Sequence, residues 1–397
     1  MSDRNLISLS AGFRALATGM LGITLGIYLA HLNLTPTQIG FVVGLGLGGC
    51  AVGALLATLF SDRFGRRRFL IALALLSALG GVVTAIGSGF ALLAAAAFFG
   101  MLNGMGRDRG AGLIVEQAIL PSTVPTADRT KAFAWYNVLQ DAGHALGSLL
   151  AGLPFILKKI FVIGEVEALR GTVLFYSVLI LIPILFYSRL SSKVEIPLEK
   201  KKVVLSPESR LVLTKISSLF LLDSLGGGFL TTALLSFFFF KRFGVGPEII
   251  GLLFFGARVA NAISHLGAAW LAKKIGLVNT MVFTHIPSSL LLMTVGFVPS
   301  FPIAAALFLL REGLVEMDVP TRQSYVMAMV KEEERSIASG VTHLVRLGAW
   351  AVAPSFAGMM MQGIASAMPL YAGGGMKILY DILLYKNFKK LKAPEES

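Results

Sequence analysis

Asp62-Arg63-Phe64-Gly65-Arg66-Arg67-Arg68 sets four arginines and one acid side by side. Two apolar runs flank it, Ile39–Phe60 and Phe69–Ser88. Each reaches the roughly 20 residues that a helix needs to cross a bilayer. Four arginines in hydrocarbon would be too costly, so the stretch is expected as a short loop at a membrane face. Gly65 permits the tight reversal of a two-helix hairpin. A plainer reading is a loop whose positive charge only fixes orientation.

Composition agrees with a membrane chain. The 397 residues are 55% hydrophobic and only 14% charged, with mean hydropathy +0.76. Soluble domains carry about a quarter charged residues. The apolar runs are continuous rather than alternating, which favours helices over a barrel. A net charge of +13 would suggest nucleic acid in a soluble protein. Its placement in loops explains it without a nucleic-acid partner. Cys50 is the only cysteine, so neither an intrachain disulfide nor a thiolate metal cluster is expected. The run Leu6–Leu32 is too long for a signal-peptide core and reads as a retained helix.

Taken in order, the first six spans are Leu6–Leu32, Gln38–Phe60, Phe69–Ser88, Ala91–Leu120, Arg129–Leu157 and Gly171–Leu190. Pro36-Thr37 marks the first turn. Ser191–Arg210 is a polar linker with lysines, glutamates and two prolines. Six more spans follow: Leu211–Phe240, Pro247–Leu271, Val278–Val298, Phe301–Met329, Ser336–Gln362 and Leu370–Leu384. The fold class expected is all-α and integral to the membrane, with about twelve spans. Span two is glycine-dense. Its Gly44-x-Gly46-x-Gly48-Gly49 faintly suggests a dinucleotide loop, but no strand precedes it, and close helix packing explains the glycines better. Most Lys and Arg residues outside the spans collect on one side. The opposite loops hold only Lys158, Lys159, Arg170, Lys241 and Arg242. The positive-inside rule then makes both termini and the linker cytoplasmic.

The halves repeat. At an offset of 206, Arg129-Thr130-Lys131-Ala132 falls on Arg335-Ser336-Ile337-Ala338, and Ala151-Gly152 on Ala357-Gly358. Gln117 falls on Gln323 and Val124 on Val330. At an offset of 211, Pro36, Ile39, Gly40 and Gly65 fall on Pro247, Ile250, Gly251 and Gly276. Two copies of a six-helix unit are therefore expected: residues 1–190 as an N-terminal bundle, 191–210 as linker, and 211–397 as a C-terminal bundle. The second copy answers the opening stretch with Lys273-Lys274-Ile275-Gly276, without the acid.

The opening stretch resembles the loop signature of the major facilitator superfamily, Asp-Arg-x-Gly-Arg-Arg between its second and third helices. Asp62, Arg63, Gly65, Arg66 and Arg67 match, while the family's upstream glycine is Thr58. The two six-helix halves extend the resemblance from the first span to the twelfth. The resemblance implies a central cavity lined mainly by helices one, four, seven and ten, and alternating access by rocking. It also implies that Asp62 contacts a partner helix when the transporter faces outward. Gly143-x-x-x-Gly147-x-x-x-x-Gly152-x-Pro154 loosely resembles a pattern of exporter members.

Ionisable groups inside spans are expensive and are functional candidates by default. Arg14 lies on helix one. Arg107, Asp108, Arg109 and Glu116 lie on helix four, where Arg109 and Glu116 share a face. Asp223 lies on helix seven. Helix ten carries Arg311, Glu312, Glu316, Asp318 and Arg322, with Arg311, Asp318 and Arg322 on one face and the two glutamates beside them. Arg258 and His265 on helix eight and His343 and Arg346 on helix eleven are further members. Arg14, Arg107, Arg109, Asp223, Arg311, Glu312, Glu316 and Asp318 are the candidates for a substrate cavity. The alternative is that these charges neutralise one another and only hold helices together. Asp141 and His144, three apart on helix five, suit a proton relay, since a histidine titrates near neutrality. Asp223 beside Gly226-Gly227-Gly228 is a second coupling candidate. A structural hydrogen bond explains Asp141–His144 equally well. Lys377 and Asp381 are most simply an i, i+4 pair, and His31 and His285 sit near helix ends. Glu116 and Arg322 are equivalent in the repeat with opposite charge, so they are expected to form a gate at the cytoplasmic side. Asp62, Arg63, Gly65, Arg66, Arg129 and Arg335 are the other gate positions.

No zinc spacing, phosphate loop or nucleophile motif is present, so an enzyme is not expected, nor a cofactor or a metal. The function expected is secondary active transport of a small polar solute, anionic or zwitterionic, across the cytoplasmic membrane. Coupling to protons and a monomeric state are expected. Alternatives are proton-antiport export of amphiphiles and a sensor that uses a transporter-like fold.

Overall fold

The structure is a computed structural model that describes residues 1–125, 128–195, 206–317 and 334–388. Among these residues the secondary structure is helical throughout. The helices are α1 Asp3–His31, α2 Pro36–Phe64, α3 Arg66–Ile86, α4 Phe90–Phe99, α5 Ala111–Ile119, α6 Arg129–Leu150, α7 Leu153–Phe161 and α8 Glu165–Tyr187. They continue as α9 Pro207–Gly228, α10 Thr232–Phe243, α11 Pro247–Ile275, α12 Leu277–Val295, α13 Phe301–Val315, α14 Arg335–Gly363 and α15 Met368–Phe388. Nine apolar helical stretches among the described residues are long enough to cross a membrane. Several have 29 residues, about 44 Å at 1.5 Å per residue, more than the roughly 30 Å of hydrocarbon.

Packing divides the chain into two compact units, Met1–Lys200 with Thr231–Phe255 and Pro354–Gly363, and Lys201–Leu230 with Gly256–Ala353 and Ile364–Ser397. The core of the first unit gathers Leu6, Ile7, Val115, Ile119, Tyr136 and Tyr187 from α1, α5, α6 and α8. That of the second gathers Ile216, Phe220, Met281, Val282, Tyr380 and Leu384 from α9, α12 and α15.

The opening stretch is tighter than a loop. Thr35 and Gln38 form a capping box around Pro36 at the start of α2, so this proline opens the helix instead of lying in the turn before it. The helix runs through Phe64, Gly65 alone breaks it at φ +90°, and α3 begins at Arg66. Asp62 pairs with Arg66 at 2.9 Å across that break. Glu195 caps α3, taking the Arg66 and Arg67 N–H groups at 2.7 and 3.1 Å.

The repeat reappears in the backbone. Gly276, the counterpart of Gly65, joins α11 to α12 at φ +86°. Within the first unit, a Cβ on Gly40 would lie 2.4 Å from the Pro354 carbonyl oxygen, and one on Gly251 2.4 Å from that of Ser148. Gly251 is the repeat partner of Gly40, and Pro354 that of Ser148. The glycines of α2 serve close packing: at Gly46 and Gly49 a Cβ would strike the carbonyl oxygens of Leu102 and Phe98.

Three expected spans are interrupted. Helix four, expected over Ala91–Leu120, is two short helices around an irregular segment, 100–110. Met101 and Gly106 have φ of 52° and 68° there. Helix seven breaks between α9 and α10, and helix five between α6 and α7 ahead of Pro154. Of helix ten, α13 ends at Val315, and residues 318–333 lie outside the described part.

Candidate functional site

The segment 100–110 lies where the sequence concentrates charge, and its backbone polar groups find partners outside a helix. The Asn103 side chain accepts from the Met105 N–H at 2.9 Å and donates to the Arg107 carbonyl at 2.7 Å. Gly104 accepts from the Ala233 N–H at 3.0 Å, and Met105 from the Thr232 hydroxyl at 2.8 Å. The start of α10 thus seats on the break in helix four within the first unit. Irregular backbone at membrane depth is tolerable only where it is buried in protein or lines a cavity.

This segment and α5 aim two carboxylates at Arg14. The Arg14 Nε donates to Asp108. Its Nη1 and Nη2 reach the two oxygens of Glu116 at 2.8 and 2.7 Å. The Tyr187 hydroxyl accepts from Nη1 at 2.7 Å and donates to Glu116 at 2.6 Å, and the Tyr136 hydroxyl donates to Glu116 at 2.7 Å. Glu116 is fully buried and accepts four hydrogen bonds, which is the full capacity of a carboxylate. The Asp108 N–H donates to His144 Nε2 at 2.7 Å, so that nitrogen is an acceptor and the ring is neutral with its proton on Nδ1. Beside the cluster is a cavity of about 60 Å³ lined by Arg14, Thr18, Ser77, Asn103, Asp108 and Tyr176 among others. Ligand sites for drug-sized molecules run to about 300–1,000 Å³, so this space holds a few waters.

Glycines set the backbone separation here. A Cβ on Gly143 or Gly147 would lie 2.5 or 2.2 Å from the carbonyl oxygens of Gly12 and Leu16. The glycine pattern of helix five is the seam that brings α6, with His144 and Tyr136, against α1.

The second unit holds another buried cluster. Lys377 Nζ lies 2.9 Å from Asp223 Oδ1 and 3.3 Å from His285 Nε2. His285 Nδ1 lies 3.0 Å from both oxygens of Asp381. Arg346 donates to Ser224 at 3.1 Å, comes within 3.9 Å of Asp223, and stacks on Trp350. Lys377 and Asp381 are therefore not a mutual pair: each bonds to a group on another helix. His285 is not at a helix end either; it is buried near the middle of α12.

The remaining candidates are placed as follows. Arg107 and Arg109 flank Asp108 on the irregular segment, half-buried. Arg109 and Glu116 do not share a helix face, because the helix is broken between them. Arg311 and Glu312 bond to each other, and Asn261 of α11 holds Glu312 at 2.8 Å. Glu316 follows the end of α13 and is half-buried. Asp318 and Arg322 lie outside the described residues, as do the side chains of His265 and Arg335. Asp141 is exposed whereas His144 is buried against Asp108, so the two face different surroundings. Asp62, Gly65 and Arg66 meet at the α2–α3 break, while Arg63 and Arg129 are exposed. Tyr136, Tyr187, Glu195 and the His285–Asp381 pair take part in these contacts without a signal in the sequence. The glycines at 100, 104, 106 and 110 were the available signal for the broken helix.

Fold and charge placement define a polytopic membrane protein with buried ion clusters, the make-up of a solute carrier. The sequence profile of the Major Facilitator Superfamily matches residues 7–354, and the chain belongs to that family of membrane transporters. An uncharacterized membrane protein of Saccharomyces cerevisiae is 24% identical over 96% of this chain and 93% of its own length. The nucleoside transporter NupG superposes with a TM-score of 0.77 at 14% identity, covering 98% of this chain and 100% of that one. A bacterial homologue of the human lysosomal transporter Spinster, inward-facing and occupied, gives 0.77 at 13% identity, over 98% and 97%. The xylose transporter XylE of E. coli gives 0.72 at 14% identity, over 98% of each chain. These structures share the fold.

Proposed function

We propose that the chain is a secondary active transporter that moves a small polar solute, anionic or zwitterionic, by alternating access coupled to protons. The observation that carries this reading is the unwound, charged segment 100–110, which brings Asn103, Asp108 and Gly110 to the small cavity beside Arg14 and carries Arg107 and Arg109 on either side of Asp108 in the chain. A broken helix offers backbone polar groups and charges to a solute that a continuous apolar helix cannot. Arg14 bonds to Asp108, Glu116 and Tyr187 and so organises the site, and the half-buried Arg107 and Arg109 on the same segment are the anion-recognising candidates. The membrane is the cytoplasmic one, with both termini and the linker at 191–210 inside and a six-helix bundle on either side of it; the unit is a monomer. The gate pairing of Glu116 with Arg322 requires a conformation in which Glu116 releases Arg14, since all four of its acceptor positions are taken in this one.

The test is a ligand thermal-shift screen on purified protein with sugars, carboxylates, organic phosphates, amino acids and cationic amphiphiles. A ligand that binds only the folded state raises its apparent stability, by about 2.7 kcal/mol at 100 times Kd. A carboxylate, phosphate or amino-acid hit that disappears in Arg107→Ala or Arg109→Ala supports the reading. Hits confined to cationic amphiphiles and insensitive to both arginines overturn it.

A further inference from the structure

The second unit contains a chain of ionisable groups that no solute-facing role absorbs: Asp223, Lys377, His285 and Asp381, in that order. Three helices, α9, α12 and α15, supply them, and each is buried. An ammonium group has only donors, so Lys377 must donate to His285 Nε2. That nitrogen is then an acceptor, and the ring's proton sits on Nδ1, pointed at Asp381. With the ring neutral, Lys377 and Arg346 face Asp223, the Nδ1–H faces Asp381, and the ring's lone pair is at Nε2.

We propose that His285 is a proton-binding site and that its protonation breaks the Lys377 contact and drives the ammonium toward Asp223; this rests on the proton-coupled reading above and gives it a residue. One proton from water adds to the Nε2 lone pair. The hydrogen bond from Lys377 is lost, because both partners are now donors. Two cations then stand 3.3 Å apart in the same buried space. An unbalanced charge in a dry site is costly, so Lys377 must move, and it is already bonded to Asp223 on α9. The imidazolium stays behind, paired with Asp381. Proton arrival on α12 thereby becomes a displacement of Lys377 away from His285 and toward Asp223 on α9.

Other charges lie on the helices that pack on α12 or supply the cluster. On α15 they are Lys377 and Asp381, with the Tyr380 ring edge-on at 6.1 Å. On α13, which packs on α12, they are Arg311 and Glu312, bonded to each other. Asp223 comes from α9, and Arg346 and His343 from α14. Ser288 takes up the His285 carbonyl at 2.8 Å, next to Pro287.

The experiment is nitrogen NMR of histidine-labelled full-length protein in lipid nanodiscs, with His285→Gln assigning the signal. As the pH is lowered over the range in which the protein stays folded, the His285 signal should pass from the neutral Nδ1–H tautomer to the doubly protonated ring. Lys377→Met should keep the titration and let the Nε2–H tautomer appear in the neutral form. A ring that stays neutral throughout, stays doubly protonated throughout, or shows the Nε2–H tautomer in the native protein overturns the proposal. In proteoliposomes, His285→Gln should lose accumulation of a screen hit driven by a pH gradient while retaining exchange at equal pH. Accumulation that persists in His285→Gln refutes this site and leaves proton coupling standing. A native protein that titrates at His285 but ignores the pH gradient refutes the coupled reading instead.

Discussion

Glu116 is the acceptor on which the first unit's ion cluster closes, and its replacement by glutamine tests whether that geometry is energetically real. The carboxylate takes two bonds from Arg14 and one each from Tyr136 and Tyr187. Glutamine keeps one acceptor oxygen and turns the other position into an NH₂. A tyrosine hydroxyl can rotate to accept from that group, but a guanidinium cannot. One charge-assisted bond of about 1.5–3 kcal/mol is lost, and one buried donor is stranded at about 1–3 kcal/mol. Part of this is recovered because Asp108 still neutralises Arg14. Glu116→Gln should therefore destabilise by about 3 kcal/mol, and Glu116→Leu by more, since both tyrosine hydroxyls also lose their acceptor. Chemical unfolding in a mild detergent measures this, with Arg14→Met completing a double-mutant cycle. Removing both partners of a buried pair is far milder than removing one, so the double variant should be less destabilised than the sum by at least about 1 kcal/mol. A Glu116→Gln protein within about 0.5 kcal/mol of the native one, or strict additivity in the cycle, would refute the reasoning.

Gly106→Ala should destabilise sharply while Gly110→Ala is tolerated. Gly106 sits at φ +68° with a Cβ position 2.6 Å from the Thr232 hydroxyl, whereas Gly110 is extended and a Cβ there would meet only Asp108 Oδ1, at an ordinary 3.6 Å; the left-handed conformation alone costs about 1–2 kcal/mol, and paired melting curves would show equal effects if the segment were misplaced. Glu195→Gln should cost about 0.3–2 kcal/mol by weakening the anionic cap on α3 and should speed amide exchange at Arg66 and Arg67, while unchanged exchange there would remove Glu195 from that role. Gly40→Leu should cost about 1–3 kcal/mol by overpacking against Pro354 and Gly358, whereas Gly348→Ala, with open space around it, should be neutral; similar thermal stability for both would mean that the Gly40 contact is not close.

What was legible in the sequence depended on whether the determinant was local. Span lengths, the hairpin at Gly65 and its repeat at Gly276 are written in short patterns, and both glycines take the same positive φ between long helices. The break in helix four is not local in this sense. Residues 91–120 are apolar enough to read as one span, and the unwound segment is held by groups far away in sequence: the Ala233 N–H, the Thr232 hydroxyl and His144. Without those partners the exposed backbone would cost several kcal/mol per group in hydrocarbon, and the helix would be the better state. The charged pairs follow the same logic. Lys377 and Asp381 look like partners because they are four apart, yet Lys377 bonds 154 residues away to Asp223, and Asp381 bonds 96 residues away to His285. A mutual i, i+4 bond would satisfy one lysine and one acid and leave Asp223 and His285 buried without these partners. Sharing the charges across three helices satisfies all four groups, and it ties those helices to the protonation state of one ring nitrogen.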